Sequence, residues 1–193
     1  MADYTDIQIP VGGQPASSSL FGVKVRDYII DLNSRVTPLE TSNQRIVKRG
    51  RRTTPTGAIT TVETGVLRVD NIPVVAGGIY RISTSNINMD TTVANDIGTV
   101  RCRVATGPLN TAATTASAQI GQMRDTLDDA TNSNVTPLQC FYVATADTYL
   151  SVLLSAVRVT GTGNLVIFCS SVDILDLTIE FAGADPGNTG VVL

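Results

Sequence analysis

The sequence predicts a mainly β protein: an antiparallel, jelly-roll-like β-sandwich preceded by an extended N-terminal arm and one short amphipathic helix. Apolar and polar side chains alternate over 97–105, the pattern of a strand with one buried face. The same alternation is clearest over 175–181, where every second side chain is apolar. Turn residues separate about seven to nine such stretches, a spacing typical of β-sandwiches. We therefore divide the chain into an N-terminal segment, 1–57, and a β-sandwich head, 58–193.

The length and composition fit one globular domain with an appendage. A chain of 193 residues can bury a real hydrophobic core. Charged residues make up only 16% of it, against about 25% in typical domains. Thr, Ser, Asn and Gly take their place. Such a surface costs little to desolvate, which suits extensive subunit contacts, although an ordinary all-β chain is also rich in Thr.

The N-terminal segment begins with an extended arm and continues as a helix. Pro, Gly and Ser discourage regular structure over 1–19, although Ile7, Ile9 and Val11 alternate as an added strand would. From 20 to 35 the apolar period becomes helical, and one stripe contains Phe21, Val25, Tyr28 and Leu32. The helix either lies on its own sheet or packs against other subunits. We favour the second, because a polar stretch separates it from the β region.

A basic cluster follows the helix, and its members are Arg45, Lys48, Arg49, Arg51 and Arg52. Residues 1–52 carry a net charge of +3 and residues 53–193 a net charge of −6. This asymmetry predicts that the cluster docks on an acidic partner, either a protein shell or a nucleic acid surface. A solvated basic linker is the alternative. No aromatic residue interleaves the cluster, so we expect no stacking on single-stranded nucleic acid.

The head reads as strands joined by turns and loops. Strands are expected at 79–85, 97–105, 138–144, 149–160, 165–169 and 175–181, and a broken strand pair at 59–70. The stretch 86–96 reads as a polar turn, and Gly161 to Asn164 as a hairpin turn. The apolar run 165–169 predicts a central strand covered on both faces. Within the long polar interval after residue 107, 119–130 could form a short helix with Ile120, Met123 and Leu127 on one face.

No catalytic or metal-binding constellation is evident. The chain has no His, which removes the commonest general base and metal ligand. The acidic residues Asp125, Asp128 and Asp129 match no calcium-loop pattern and would splay over more than one face. No phosphate-binding glycine loop is present. We therefore expect no enzyme activity, no cofactor and no metal.

Three features of the sequence indicate where the protein folds: its cysteines, its N-terminus and its hydropathy. Cys102, Cys140 and Cys169 form no CxxC pair, and their phase within strands predicts reduced core thiols. The N-terminal residues MADYTDIQIP lack the apolar region of a signal peptide. No apolar run reaches the roughly 20 residues of a membrane span. We expect a soluble protein, folded in a cytoplasm, with no membrane partner.

Two stretches resemble structural proteins of tailed bacteriophages, especially those of actinobacteria. Residues 9–36 read IPVGGQPASSSLFGVKVRDYIIDLNSRV, a Gly/Pro arm leading into a short helix. Residues 72–107 read IPVVAGGIYRISTSNINMDTTVANDIGTVRCRVATG, which is similar to a hairpin of small virion β modules. Proteins of this kind are minor tail, head-fibre or capsid decoration proteins. The resemblance implies an N-terminal anchor, a β-sandwich head and three-fold assembly.

The resemblance and the residue patterns together give one functional hypothesis and two alternatives. The hypothesis is a homotrimeric capsid decoration or head-fibre protein of a virion, made in the host bacterial cytoplasm. It would attach to the major capsid protein or to tail proteins through 1–57, without specific nucleic acid binding. A tail-tip protein that contacts a host receptor is the first alternative, which exposed aromatic side chains would favour. A small enzyme such as a depolymerase is the second, which paired acids in a groove would favour.

Overall fold

The computed structural model describes residues 46–127 and 134–184, and the described chain is built of β-strands without a helix. The prediction of a mainly β protein with antiparallel sheets is confirmed. The predicted arm over 1–19 and the helix over 20–35 lie outside the described residues. The strands are β1 (Ile46–Arg52), β2 (Thr64–Val74), β3 (Gly78–Thr84), β4 (Ile87–Thr91), β5 (Asp96–Gly107), β6 (Ala118–Leu127), β7 (Asn134–Thr136), β8 (Gln139–Val143), β9 (Thr148–Thr160), β10 (Leu165–Phe168) and β11 (Leu175–Ala184).

The strands form three sheets. The first sheet has the order β1-β11-β3-β8, and the second has the order β2-β9-β5-β6. A third, smaller sheet has the order β10-β4-β7. Every neighbouring pair is antiparallel. Along the chain, the eight strands of the two larger sheets change from one sheet to the other at every step except between β5 and β6.

All three sheets contribute to one hydrophobic core. Apolar side chains on one face of each sheet are buried together, among them Ile82, Leu177 and Ile179 from the first sheet, Val100, Val152 and Leu154 from the second, and Met89, Leu165 and Ile167 from the third. The alternation predicted for 97–105 and 175–181 is therefore confirmed as the core-facing pattern of β5 and β11. Below, the outer face of a sheet is the one whose side chains point away from this core.

Gly50 lets β1 of the first sheet approach β2 of the second. A Cβ atom built at Gly50 would overlap the Cγ2 atom of Val69 and would lie 3.6 Å from Cδ1 of Leu67. Both neighbours belong to β2 and contribute to the core. A side chain at position 50 would therefore push the two sheets apart, which is why only glycine fits there.

Strands occur within 86–96, where the sequence predicted a turn, and in the described part of 119–130, where it predicted a helix. Ile87 and Met89 are fully buried in β4, so the polar stretch contains a strand of the third sheet. The described residues of the second segment, 119–127, belong to β6, which pairs with β5 along its whole length. A bulge in this pairing falls opposite Cys102 and Arg103, where Gly121 and Gln119 are the partners and Ile120 is the extra residue. The helix prediction was therefore wrong.

The apolar run 165–169 is also placed differently from its prediction. It forms β10, which is an edge strand of the third sheet and not a central strand. Leu165 and Ile167 are buried, whereas Phe168 on the opposite side is 41% exposed. Ile59 adds a single antiparallel bridge to Leu165 beyond the edge. The run is continuous in apolar residues, but only one of its faces meets the core.

The turn between β9 and β10 crosses from the second sheet to the third, so it does not make the predicted hairpin. The carboxylate of Asp96, at the start of β5, holds this turn. Its Oδ1 accepts a hydrogen bond from the backbone N–H of Thr162 (3.1 Å), and its Oδ2 accepts one from Gly163 (2.8 Å). Thr91 donates its hydroxyl to the same Oδ2 (3.0 Å). Gly161 has a φ of 100° and leaves room for the carboxylate, which a Cβ atom would overlap.

Candidate interaction surface

The predicted basic cluster is distributed over both faces of β1. Lys48 and Arg52 point to the side of β2. The Nζ atom of Lys48 donates to the backbone oxygens of Asp70 (2.7 Å) and Asn71 (3.1 Å). Arg52 donates from Nη1 to the carbonyl oxygen of Val66 (2.8 Å). These two cations therefore join β1 to β2, and they are engaged within the described part of the chain.

Arg49 and Arg51 lie on the outer face of the first sheet, where they share one carboxylate. Both are half-exposed, and both form ion pairs with Asp176 of β11, Arg51 through its Nε at 2.9 Å. Burial raises the pKa of the Asp176 carboxyl, but hydrogen bonds from Arg51 and Arg49 outweigh it and hold that pKa below its usual value. Two cations to one carboxylate leave a local excess of positive charge. Arg45, the fifth member of the cluster, lies outside the described residues.

A second charged pair lies further along the same outer face. Arg81 of β3 stands between Glu180 of β11 and Phe141 of β8 in the cross-strand register. Its Nε donates to Oε2 of Glu180 at 2.7 Å, and its Nη2 donates to the same oxygen. Phe141 is 54% exposed. A groove of about 350 Å³ lies here, lined by Arg81, Phe141, Glu180, Phe181 and Ala182.

One of the lining residues of this groove, Phe181, packs against the hydrophobic core. The ring of Phe181 packs edge-on against the ring of Tyr80, with the ring centroids 5.6 Å apart. The Tyr80 hydroxyl accepts a hydrogen bond from the backbone N–H of Val75 at 2.9 Å. Burial raises the pKa of Tyr80, so this hydroxyl stays protonated through the neutral range. A bulge in the β11–β3 pairing falls between Phe181 and Gly183, and it turns the end of β11 at the groove.

The three cysteines lie in the core, and of the three acidic residues singled out in the sequence only Asp125 is described. Cys102, Cys140 and Cys169 are free and buried, as predicted. A hydrogen bond with Cys140 and burial together raise the pKa of Cys102 far above its usual value, which keeps it a thiol. Asp125 lies on β6, while Asp128 and Asp129 are outside the described residues. Within 46–127 and 134–184, no three Asp, Glu or Cys side chains cluster as metal ligands would.

The apolar stripe predicted as a subunit interface, Phe21, Val25, Tyr28 and Leu32, lies outside the described residues. Its role in assembly stays a prediction. Among the residues that are described, no helix is long and apolar enough to cross a membrane.

Comparison with known proteins gives no family. No family model matches the chain, and no curated protein matches it significantly. Solved structures with weak likeness include the CBM22-1–GH10 modules of an endo-1,4-β-D-xylanase from Clostridium thermocellum complexed with xylohexaose. That match has a TM-score of 0.37 and 13% identity, and it covers 78% of this chain and 28% of the xylanase chain.

Two further structures are a tumour necrosis factor and a viral protein. Eiger TNF from S. frugiperda has a TM-score of 0.32 and 8% identity, with 76% of this chain and 100% of the Eiger chain covered. The VP2 subviral particle of infectious bursal disease virus has a TM-score of 0.29 and 9% identity, with 73% of this chain and 36% of the VP2 chain covered. All three TM-scores are below 0.5, so these likenesses indicate no shared function.

Sequence reasoning missed an ionic cluster on the outer face of the second sheet. Glu63, just before β2, accepts hydrogen bonds from Nε (2.5 Å) and Nη2 (2.8 Å) of Arg103, and also from Arg101 and the Ser155 hydroxyl. The hydrogen bond from Arg103 is the main cause that lowers the pKa of Glu63 to about 2. Burial acts in the opposite direction and raises this pKa. The alternation placed both arginines on this face correctly. The sequence does not show that Glu63 lies beside these arginines, because only the fold brings the three residues together.

Proposed function

We propose that this chain is a non-enzymatic structural component of a bacteriophage virion, with a jelly-roll β-sandwich as its head. The strand order is the observation that carries the proposal. Eight strands divide into the sheets β1-β11-β3-β8 and β2-β9-β5-β6, which share one core, and this supports a jelly roll. Jelly rolls recur in viral capsid proteins. The resemblance of 9–36 and 72–107 to virion proteins points the same way.

Within this proposal the protein is a homotrimeric capsid decoration or head-fibre protein. It attaches through the N-terminal segment 1–57 to the major capsid protein or to tail proteins, and Phe21, Val25, Tyr28 and Leu32 are buried between subunits. The described part of that segment, 46–57, contains β1, an edge strand of the first sheet. Its half-exposed Arg49 and Arg51 give this edge an excess of positive charge that suits an acidic docking surface.

Trimer formation is tested by light scattering on the purified full chain. We expect a mass near three times 20.3 kDa at micromolar protein concentration. Replacing Phe21 and Leu32 together by Ser should shift the mass towards that of a monomer, because the apolar contact between subunits is lost. A monomeric wild-type chain at all concentrations would contradict assembly of the free protein.

Attachment is tested by co-sedimentation with phage particles that lack this protein. The double substitution Arg49→Glu and Arg51→Glu is expected to weaken attachment at least about tenfold at moderate salt, since it reverses the charge of the docking edge. Arg68→Glu is the matched control. Arg68 is also half-exposed and ion-paired with an aspartate, Asp70 (2.9 Å), but it lies on β2. Equal sedimentation of all three proteins would show that the arginines of β1 do not dock.

A tail-tip protein that contacts a host receptor is the second candidate. One observation favours it, the exposed ring of Phe141 beside the groove on the first sheet. The two candidate functions require different parts of the chain to bind a partner. A decoration protein needs only its N-terminal segment to bind, whereas a receptor-binding protein also needs a ligand site on the head.

A further inference from the structure

The geometry points to a binding site for a neutral pyranose sugar in the groove beside Phe141. The groove is lined by Arg81, Phe141, Glu180, Phe181 and Ala182, and its volume of about 350 Å³ is large enough for one or two sugar rings. The site lies wholly on the first sheet. The inference therefore does not depend on whether the chain trimerises or attaches to a particle.

The exposed ring of Phe141 offers a surface on which a sugar can stack. Phe141 is 54% exposed. Its partner on the neighbouring strand β3 is the charged residue Arg81. An aromatic face carries negative partial charge, and the C–H groups on one face of a pyranose carry positive partial charge. Stacking of the two therefore gains both apolar burial and electrostatic attraction. Phe141 supplies the flat apolar surface that such a ring requires.

The ion pair of Arg81 and Glu180 keeps unused hydrogen-bonding capacity. Arg81 uses Nε and Nη2, and both donate to Oε2 of Glu180. Within the described part of the chain, Nη1 of Arg81 and Oε1 of Glu180 have no protein hydrogen-bond partner. A fixed donor next to a fixed acceptor matches two adjacent hydroxyls of a sugar, one accepting and the other donating. Because the pair is already held across β3 and β11, little ordering is needed on binding.

The charges of the groove select among ligand classes. An anion would gain from Arg81 but would be repelled by the adjoining carboxylate of Glu180. A cation would gain from Glu180 and the ring but would be repelled by Arg81. A neutral polyol meets no repulsion from either. The pair of opposite charges therefore favours a neutral sugar over uronic acids, phosphates or ammonium groups.

A row of polar side chains lies next to the groove on the same face. Two residues along each strand from Arg81, Phe141 and Glu180 lie Ser83, Gln139 and Thr178, which are opposite one another in the register. All three are neutral and polar. They extend the site along the strands with groups that hydrogen-bond hydroxyls, so the groove suits a terminal sugar of a longer glycan.

The test is a titration of the ¹⁵N-labelled full chain with four methyl glycosides, those of glucose, galactose, mannose and N-acetylglucosamine. We expect at least one glycoside to shift the backbone amides around Arg81, Phe141 and Glu180, with a Kd of about 1 to 10 mM. Phe141→Leu, which keeps apolar volume but removes the ring, should weaken that binding roughly tenfold. Phe168→Ala is the matched control, since Phe168 is also an exposed phenylalanine, 41% exposed, but lies on β10.

A charge variant separates this site from adventitious stacking. Glu180→Gln removes the negative charge and keeps an amide oxygen as acceptor, so methyl glucuronide should bind this variant more tightly than it binds the wild type. The proposal is overturned if no glycoside at about 50 mM shifts these amides. It is equally overturned if the shifts map to another face, or if Phe168→Ala loses binding as Phe141→Leu does. The light-scattering and sedimentation results would stand in each case.

Discussion

Asp96→Ala is expected to lower the free energy of unfolding by about 3 to 5 kcal/mol, the largest effect of any single substitution considered. Asp96 is 2% exposed, and its carboxylate accepts three hydrogen bonds, from the N–H groups of Thr162 and Gly163 and from the hydroxyl of Thr91. Alanine leaves these donors without a partner inside the protein. Each buried donor that loses its partner costs about 1 to 3 kcal/mol.

The loss should be visible as a lower midpoint of urea denaturation with an unchanged slope. Asp90→Ala is the matched control. Asp90 lies nearby on β4, and its Oδ1 accepts a hydrogen bond only from the backbone N–H of Thr91 (2.7 Å) among the described residues. We expect it to cost about 1 kcal/mol or less. If the two variants are equally stable, the carboxylate of Asp96 does not hold the turn between β9 and β10.

Protonation of Glu63 is expected to lower the free energy of unfolding by about 1 to 3 kcal/mol between pH 5 and pH 2. The pKa of Glu63 is about 2 in the folded protein, below its usual value of 4.5. A group whose pKa is lowered on folding stabilises the protein above the unfolded pKa. That contribution is lost as the pH falls through the folded value. The full linkage value is larger, but solvent screens a part of it.

Urea denaturation of the wild type and of Glu63→Gln measures this contribution. The variant should be less stable than the wild type at about pH 7, and the difference should shrink towards about pH 2 because protonation neutralises the wild-type carboxylate as well. A double-mutant cycle with Arg103→Gln should give a coupling energy of about 1 to 3 kcal/mol at neutral pH. A difference between wild type and Glu63→Gln that is constant with pH would contradict the ion cluster as its source.

The sequence could predict the strands whose one face is buried. In β5 and β11 the alternation is unbroken over the core, so the inward residues such as Val100 and Leu177 were identified correctly. The burial of all three cysteines followed from the same phase. These features depend on the local period of the chain, which a sequence displays directly.

The errors arose where the local period is interrupted. In β6 the bulge at Ile120 adds one residue, so Ile120, Met123 and Leu127 are spaced by three and then four, as on a helix. Met123 and Leu127 nevertheless belong to one face of a strand. The turn at 161–164 has the residues of a hairpin, but which sheet receives the next strand is decided by the pairing of β10 with β4. Such pairing depends on residues distant in the chain.

The candidate sites also differ in how far the local sequence could predict them. The basic cluster was evident from composition, but no strand was predicted there, so the alternation that sends Lys48 and Arg52 to one face and Arg49 and Arg51 to the other was not expected. The groove beside Phe141 could not be predicted. It brings together residues of β3, β8 and β11 that only the strand order places side by side.

The pairing of β1 with β11 has a consequence for how the chain folds as it is made. Arg49 lies opposite Thr178, so the first and the last described strands complete each other's hydrogen bonds. A nascent chain exposes β1 early but cannot pair it until β11 has left the ribosome. Such closure over nearly the whole described chain is slow and leaves sheet edges open to other chains in the meantime. Synthesis at lower temperature or with chaperones should therefore raise the yield of soluble protein.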